Sequence, residues 1–569
     1  MKNIKKYSFL HIKSLIVCIA LFSIMSCTDF LDVDKDTDNP TEAPIDQLLP
    51  GVQLGIKNIN EFNNYSSNVL SVYTHQFCAR ADHDQYGTKP SSIPMEREWD
   101  NIYLTLTDLE TLISNAKKEN NKVYEGIAQI LKAYMMSVAV DLWGDVPYSE
   151  ATQLENGIVS PVYDNQKVIY QSILDLISLG KVNVNSGVGI TMPSDDDLFY
   201  KGDLDKWVRF ANTYKFKLYN QIRGSSVFNS TDFNSLITEN DFFTSSADDF
   251  QFNYTTVTSP SDERNQLYLR SYGGTQISHY LSPWFYEILK GMNPNIHNTN
   301  ADPRLPYYIV NQLQTGVLPP DQGDSGTGDP HADYWDSSTG FFSIRFGSIG
   351  PDRDHAVENS ASYPGIFVCG GLYDEGSGYS IDINSATGVA PHRILTYDEF
   401  LYIQAELIHA GVLTGAGTAV DKLEEAMIAS FAKVDEVVVN SGSSQTIPTL
   451  IGSASVTTFI ANVIAEYNAG DTNKKLEIIM TQKWVATFGD SMDQYSDYRR
   501  TGYPILADPD GSSPEYQLNN ADGFPLDDGV TVLNNSFQNS IFWPQTELNL
   551  NQNAPSQKNP NTYLIFWDN

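Results

Sequence analysis

"KGDLDKWVRFANTYKFKLYNQI", residues 201–222, sets the reading of the fold. Trp207, Phe210, Ala211, Tyr214, Leu218 and Ile222 recur at spacings of three and four, which predicts an amphipathic helix with its apolar stripe turned to a core. Trp207 lies on that stripe and reads as a core residue. The same period returns between Val123 and Leu142, where Ile127, Leu131, Tyr134, Val138 and Leu142 share a face. Thr396 and Glu399 have the spacing of a capping box ahead of Phe400, Leu401, Ala405 and Ile408, with Gly411 as the stop. A further helix is expected near Lys474 to Phe488, with Leu476, Met480 and Trp484 on one face and Gly489 behind it. Asp421 to Lys433 and Val456 to Tyr467 read as two more.

Helices arriving in pairs imply a mainly α chain, a tetratricopeptide-like superhelix, although a strict 34-residue repeat is not visible. The middle departs from the pattern. From about 252 to 391 the chain is rich in Gly, Ser, Asp, Pro and aromatics with weak periodicity, and "GDSGTGDPHADYWDSSTGFF" at 323–342 is its clearest loop-like stretch. Long irregular loops in a compact domain are uncommon and frequently functional.

The chain has 569 residues and 41% hydrophobic content, enough for a large core, and a formal charge of −34. Such a field repels nucleic acid, and no basic patch exceeds Lys474-Lys475. At the start, Lys2, Lys5, Lys6 and Lys13 precede an uncharged run from Ser14 to Ser26. Thirteen helical residues reach about 20 Å, short of the roughly 30 Å of a bilayer core. The pattern is that of a secretory signal over residues 1–26. Ile24-Met25-Ser26-Cys27 is similar to a bacterial lipobox, which implies cleavage before Cys27 and lipidation of its thiol. Asp29, Asp32, Asp34, Asp36 and Asp38 then form an acidic tether, residues 27–45. An EF-hand needs Gly and Glu at its sixth and twelfth positions. Counted from Asp32 these are Thr37 and Ala43, and the calcium reading fails. Acids just behind a lipid-bearing cysteine resemble the signal that exports lipoproteins of Bacteroidetes-type bacteria to the outer surface.

Cys78 and Cys369 are left for an exported chain, either as a disulfide or as two separate buried thiols. Asp82-His83-Asp84 is the one compact ligand-like cluster and reads as a polar loop; no metal or other cofactor is expected. Gly323-Asp324-Ser325-Gly326 copies the core of a serine-protease motif without its surroundings, and Gly489-Asp490-Ser491-Met492 follows a helix where a nucleophile elbow would follow a strand. Arg499 and Arg500, with Asp490, Asp493 and Asp497 nearby, read as an ion-pair network.

Six stretches in order carry a resemblance. "DLWGDVPYSEA" (141–151), "KGDLDKWVRFANTYKFKL" (201–218) and "DPRLPYY" (302–308) are followed by "LTYDEFLYIQAEL" (395–407), "QKWVATFGDSMDQYSDYRRTGYP" (482–504) and "FWPQTELNLN" (542–551). Together they resemble the RagB/SusD family of nutrient-binding outer-membrane lipoproteins, in its SusD-like branch. In the first of them Gly144 and Pro147 punctuate a helix end, so Trp143 and Tyr148 are expected to pack the turn. The resemblance implies one SusD-like domain over 46–569, built on four tetratricopeptide-like units with the loop-rich insert at about 252–391. It implies capture of an oligosaccharide or a peptide, and a TonB-dependent outer-membrane transporter as partner, over which the lipoprotein sits as a lid. It implies no catalysis. Two rival readings are a secreted glycan hydrolase using paired carboxylates in the middle region and a purely structural partner of the transporter.

Ligand residues are expected among exposed loop aromatics, since sugar rings stack on Trp or Tyr while carboxylates and amides take up hydroxyl hydrogens. Tyr86, Tyr334, Trp335 and Tyr373 are the expected platforms, with Asp82, His83 and Asp333 as polar contacts.

Overall fold

The Asp203 carboxylate accepts from the Lys206 backbone amide, and this N-cap starts a helix over Leu204–Ile222. The stripe that begins the sequence reading is buried throughout: Trp207, Phe210, Ala211, Tyr214, Leu218 and Ile222. The computed structural model describes residues 43–79, 82–274, 277–319, 333–347, 360–507 and 535–568. In chain order, α1 is Ile45–Asn58, α2 Ser67–Tyr73, α3 Ile93–Lys118, α4 Lys122–Trp143, α5 Gln166–Asn185, α6 Leu204–Ile222 and α7 Ser230–Glu239. Four short helices follow: α8 Gln266–Tyr272, α9 Pro283–Lys290, α10 Leu305–Tyr308 and α11 Ile366–Cys369. Long helices then return as α12 Tyr397–His409, α13 Ala419–Ser441, α14 Ala454–Ala469, α15 Thr472–Ala486 and α16 Ser491–Thr501, and α17 is Gln545–Leu550.

Four antiparallel pairs, α3–α4, α5–α6, α12–α13 and α14–α15, make the helical scaffold. Neighbouring pairs stack through α4 on α5 and α12 on α15, the arrangement of a tetratricopeptide-like solenoid. The α4–α5 contact is tight because glycines face each other. A Cβ at Gly126 would lie 2.5 Å from the Gly180 carbonyl oxygen, and one at Gly180 would lie 2.8 Å from that of Gly126. Nearly every residue of α4 is buried, as expected of a helix covered on all sides.

Five two-stranded antiparallel ribbons decorate the helices: β1 (Phe77–Ala79) with β5 (His279–Leu281), β2 (Val146–Pro147) with β3 (Tyr163–Asp164), β4 (Phe250–Phe252) with β10 (His392–Leu395), β6 (Ile309–Val310) with β9 (Tyr363–Pro364), and β7 (Asp333–Asp336) with β8 (Phe341–Ile344). An isolated ribbon is marginal in water, so each must be packed. Phe250 of β4 is buried and stacks on Phe210 at 3.8 Å and on Phe199 at 4.2 Å. The β4–β10 ribbon joins the chain where it leaves the first helices to the chain where it returns.

A buried charged network clasps the two helical halves. Lys217 of α6 pairs with Asp493 of α16 and, at 3.4 Å, with Glu399 of α12; Lys483 of α15 pairs with Glu399 at 3.4 Å and Asp497 at 2.8 Å. Arg500 is bound to Glu406 and Asp497, and Arg499 donates to the Asp141 and Asn539 carbonyls, both at 2.8 Å. Arg500 thus forms the ion pair expected with Asp497, whereas Arg499 is held mainly by backbone carbonyls, with Asp568 at 3.9 Å its nearest carboxylate.

One local expectation is corrected, and one open alternative is decided. Thr396 is the N-cap of α12 but its side chain caps nothing, and the Glu399 side chain is buried in the charged network. The capping box forms instead at Thr418 and Asp421, at the start of α13. Cys78 and Cys369 are separate buried thiols, and burial raises Cys369 far above an ordinary thiol.

Candidate functional site

The loop-rich segment is less open than its composition suggests. Its aromatics Tyr268, Tyr280, Trp284, Phe285, Tyr308 and Phe367 are buried, and Phe285 packs edge-on against Trp484 of α15 at 5.0 Å. Short ribbons bring its pieces together. Phe77, Cys78 and Ala79 stand opposite Leu281, Tyr280 and His279, and the Ser343 hydroxyl of β8 donates to the Leu281 carbonyl.

This pairing sets the 3₁₀ turn Asp82–Gln85, which follows β1, beside the end of the β7–β8 hairpin. The Gly347 amide donates to Asp84 at 3.3 Å, and the Tyr86 ring lies 5.4 Å from Phe346. Two sequence-distant stretches expected to carry ligand contacts therefore share one face. His83 is half-buried, its ring 6.3 Å from that of His279. Burial, reinforced by His83, pushes His279 down to about 3, so it is neutral at physiological pH.

The expectation of exposed platforms is corrected at two residues. Tyr86 is buried, bonded through its hydroxyl to His75 at 2.9 Å and packed edge-on against Tyr73 at 5.2 Å. Tyr334 is fully buried, donates to Glu287 at 2.7 Å, and has the Arg345 guanidinium over its ring at 5.2 Å. Their hydroxyls hold both rings inward. Trp335, opposite Phe342 in the hairpin, is half-buried, and its indole N–H has no hydrogen-bond partner among the described residues. Tyr373 is half-buried at the other side of the hairpin turn, edge-on to Tyr307 at 4.8 Å. Its amide and carbonyl are both bonded to Gln445, at 2.9 and 3.0 Å. Its neighbour Asp374 accepts from Asn311 at 2.7 Å, and Asn311 reaches the Thr339 carbonyl at 3.4 Å. The backbones of Asp82 and Asp333 belong to the turn and to β7, but their side chains lie outside the described residues, as do Cys27 and residues 1–42.

Two concavities escaped the sequence reading. One, of about 400 Å³, opens between the β4–β10 ribbon and α13. The other, about 410 Å³, is an open groove over Trp99, Tyr103 and Glu547. Their walls come from segments far apart in sequence, which no motif search joins. Glu399, Asp490 and Asp493 place carboxylate oxygens within 4.8 Å of one another, as a metal site would. Lys217 and Lys483 already supply positive charge there, so the cluster is part of the clasp.

No helix among the described residues is long and apolar enough to cross a membrane. The family model described as SusD-like, "Starch-binding associating with outer membrane", matches residues 37–326 and 345–525, and the chain belongs to this family. A SusD homologue from Bacteroides fragilis NCTC 9343 is similar in structure, with TM-score 0.66 at 17% identity over 93% of this chain and 100% of that one. A chitin-binding protein gives TM-score 0.64 at 21% identity, covering 92% and 100%. A chitin-binding SusD homologue from Flavobacterium johnsoniae gives 0.61 at 18% identity, covering 92% and 99%. No curated protein sequence matches the chain.

Proposed function

We propose that this chain is a cell-surface lipoprotein, anchored through Cys27, that captures an oligosaccharide at its loop face and delivers it to a TonB-dependent outer-membrane transporter. The observation that carries the site is the meeting of the 82–86 turn with the β7–β8 hairpin, the hairpin that also carries the half-buried Trp335. An indole offers a sugar a stacking face. Tyr373 extends the apolar surface, and Asp82, His83 and Asp333 supply polar contacts. The family description names starch, and two similar structures are of chitin-binding proteins, which favours a glycan over a peptide. Capture needs complementarity and no bond-making step, so no catalytic residue is assigned.

The test is calorimetric titration of the chain from Thr28 onward with starch-derived and chitin-derived oligosaccharides and with peptides. Trp335→Ala is expected to weaken glycan binding about tenfold or more, roughly 1.4 kcal/mol. Unchanged affinity in that variant, or binding of peptides alone, would count against the proposal.

A further inference from the structure

The loop after α5, "SGVGITM" at 186–192, turns apolar side chains to solvent from a fixed backbone. The Val188 carbonyl accepts from the Lys122 and Val123 amides, at 2.8 and 3.2 Å, and so satisfies two donors at the open N-terminus of α4. The Asn121 side-chain amide donates to the Thr191 carbonyl at 2.7 Å. Gly189 lies against the same side chain, where a Cβ would be 2.5 Å from its oxygen. These anchors flank Ile190, which at 95% is the most exposed large apolar side chain among the described residues. Val188 and Met192 beside it are exposed too, as is Val182 near the end of α5. A slack loop folds such side chains inward; this one is held with them turned out. Single exposed apolar residues are ordinary, but a cluster on a rigid tip marks a contact surface.

What covers the tip follows from where the described chain begins. The Ala43 carbonyl lies 3.5 Å from the Asn115 side-chain amide, in the last turns of α3, and the next carbonyl of α3, that of Ala116, accepts from the Asn121 amide at 2.8 Å. The chain ahead of Ala43 therefore leaves from the end of the molecule that carries Ile190. From Cys27 to Ala43 it spans at most about 55 Å. Ile93 and Leu550, also exposed, lie at the other end of α3, a helix of 26 residues and about 39 Å, where Thr546 of α17 is bonded to Glu96. Exposed Lys117, Lys118, Glu119 and Asp195 give the surroundings of the tip both signs of charge, so an apolar phase suits it better than a charged headgroup. We propose that the 186–192 tip is a membrane-contact surface: Ile190, with Val188 and Met192, enters the lipid leaflet beside the anchor and lies among the acyl chains just below the headgroups. This rests on the reading of Cys27 as the lipid-bearing residue. Tethering supplies the high local concentration at which a few apolar side chains suffice.

The test replaces the lipid by a histidine tag ahead of Thr28, on phosphatidylcholine vesicles containing a nickel-chelating lipid. Cys78 and Cys369 are buried, so a bimane fluorophore attached through Ile190→Cys reports from one site. Quenching by lipids with a nitroxide on the upper acyl chain should be several-fold greater there than through Leu550→Cys, and the emission should shift to the blue at the tip alone. A bimane attached through Met192→Cys should be quenched as well, and should lose most of that quenching when Ile190→Glu is added, with no change in Tm. Equal quenching at the two ends, or none at the tip, overturns the proposal. So does quenching through Met192→Cys that survives Ile190→Glu. Failure of the lipidation reading has a different signature: the full-length chain recovered from cell membranes would carry no lipid on Cys27 by mass spectrometry, whereas the tagged chain reports on the tip either way.

Discussion

Replacing Glu406 by Gln removes one negative charge from the clasp and almost no volume. In the native chain the Glu406 Oε1 lies 2.7 Å from Arg223, and its Oε2 accepts from Arg500 at 2.9 Å and from Asn220 at 2.8 Å. The carboxylate is fully buried. Burial by itself would raise its pKa, but Arg500 and Arg223 overcome that and hold it well below the usual carboxylate range. Breaking a buried pair from one side costs about 3–5 kcal/mol, because the surviving charges remain desolvated. Asp497, 2.8 Å from Arg500, shares part of the load, which puts Glu406→Gln near the lower end, about 3 kcal/mol. That is a large part of the roughly 5–15 kcal/mol of a typical domain.

Urea unfolding followed by near-UV circular dichroism measures the loss. Because the folded pKa is depressed, the native contribution is present above the unfolded value, about 4.3, and is lost as pH falls through the folded one. The wild-type advantage should therefore be constant from pH 5 to 8 and narrow below about 4.3. Arg500→Met combined with Glu406→Gln should cost less than the sum of the single changes. A single-variant loss under about 1 kcal/mol, or strict additivity, would refute the reasoning.

Two further outcomes follow from features of the fold. Burial pushes Glu98 up to about 7, so the folded chain keeps a proton that the unfolded chain has released. Relative to a Glu98→Gln variant, wild-type stability should fall as pH rises from about 4.3 to 7, by up to about 1.4 kcal/mol per pH unit. A difference in urea midpoints that stays level, or moves in favour of the wild type, between about pH 5 and 7 would contradict this. Gly126→Ala should lower stability by about 1–3 kcal/mol, although alanine is the better helix former by about 1 kcal/mol, because its Cβ meets the Gly180 backbone. A rise in Tm would show that α4 and α5 can separate without loss.

The helices were legible where a stripe repeats. Trp207, Trp484 and the Ile127-to-Leu142 face are buried as their spacing predicts, and Trp143 packs the turn at Gly144. What was not legible is non-local. Nothing near Glu399 says that two lysines, one 182 positions upstream on α6 and one on α15, will pair with it. The middle segment looked like open loop because its partners are distant: Phe77 meets Leu281 and Ile309 meets Pro364, and such pairs bury aromatics that composition alone leaves exposed. Tyr86 and Tyr334 fell to that cause. The joining of the 82–86 turn to the hairpin could not be read at all, since it depends on β1 finding β5 across some 200 residues.

The clasp between α6 and the helices after Thr396 has a consequence for the history of such chains. Everything between Ile222 and Tyr397 starts and finishes at one pinned neck, where β4 meets β10. For a segment closed in this way, doubling its length costs only about 0.6 kcal/mol in chain entropy. Inserts of very different size and shape can thus be exchanged on an unchanged set of helices. Recognition can diverge at the tip while the helical frame stays fixed.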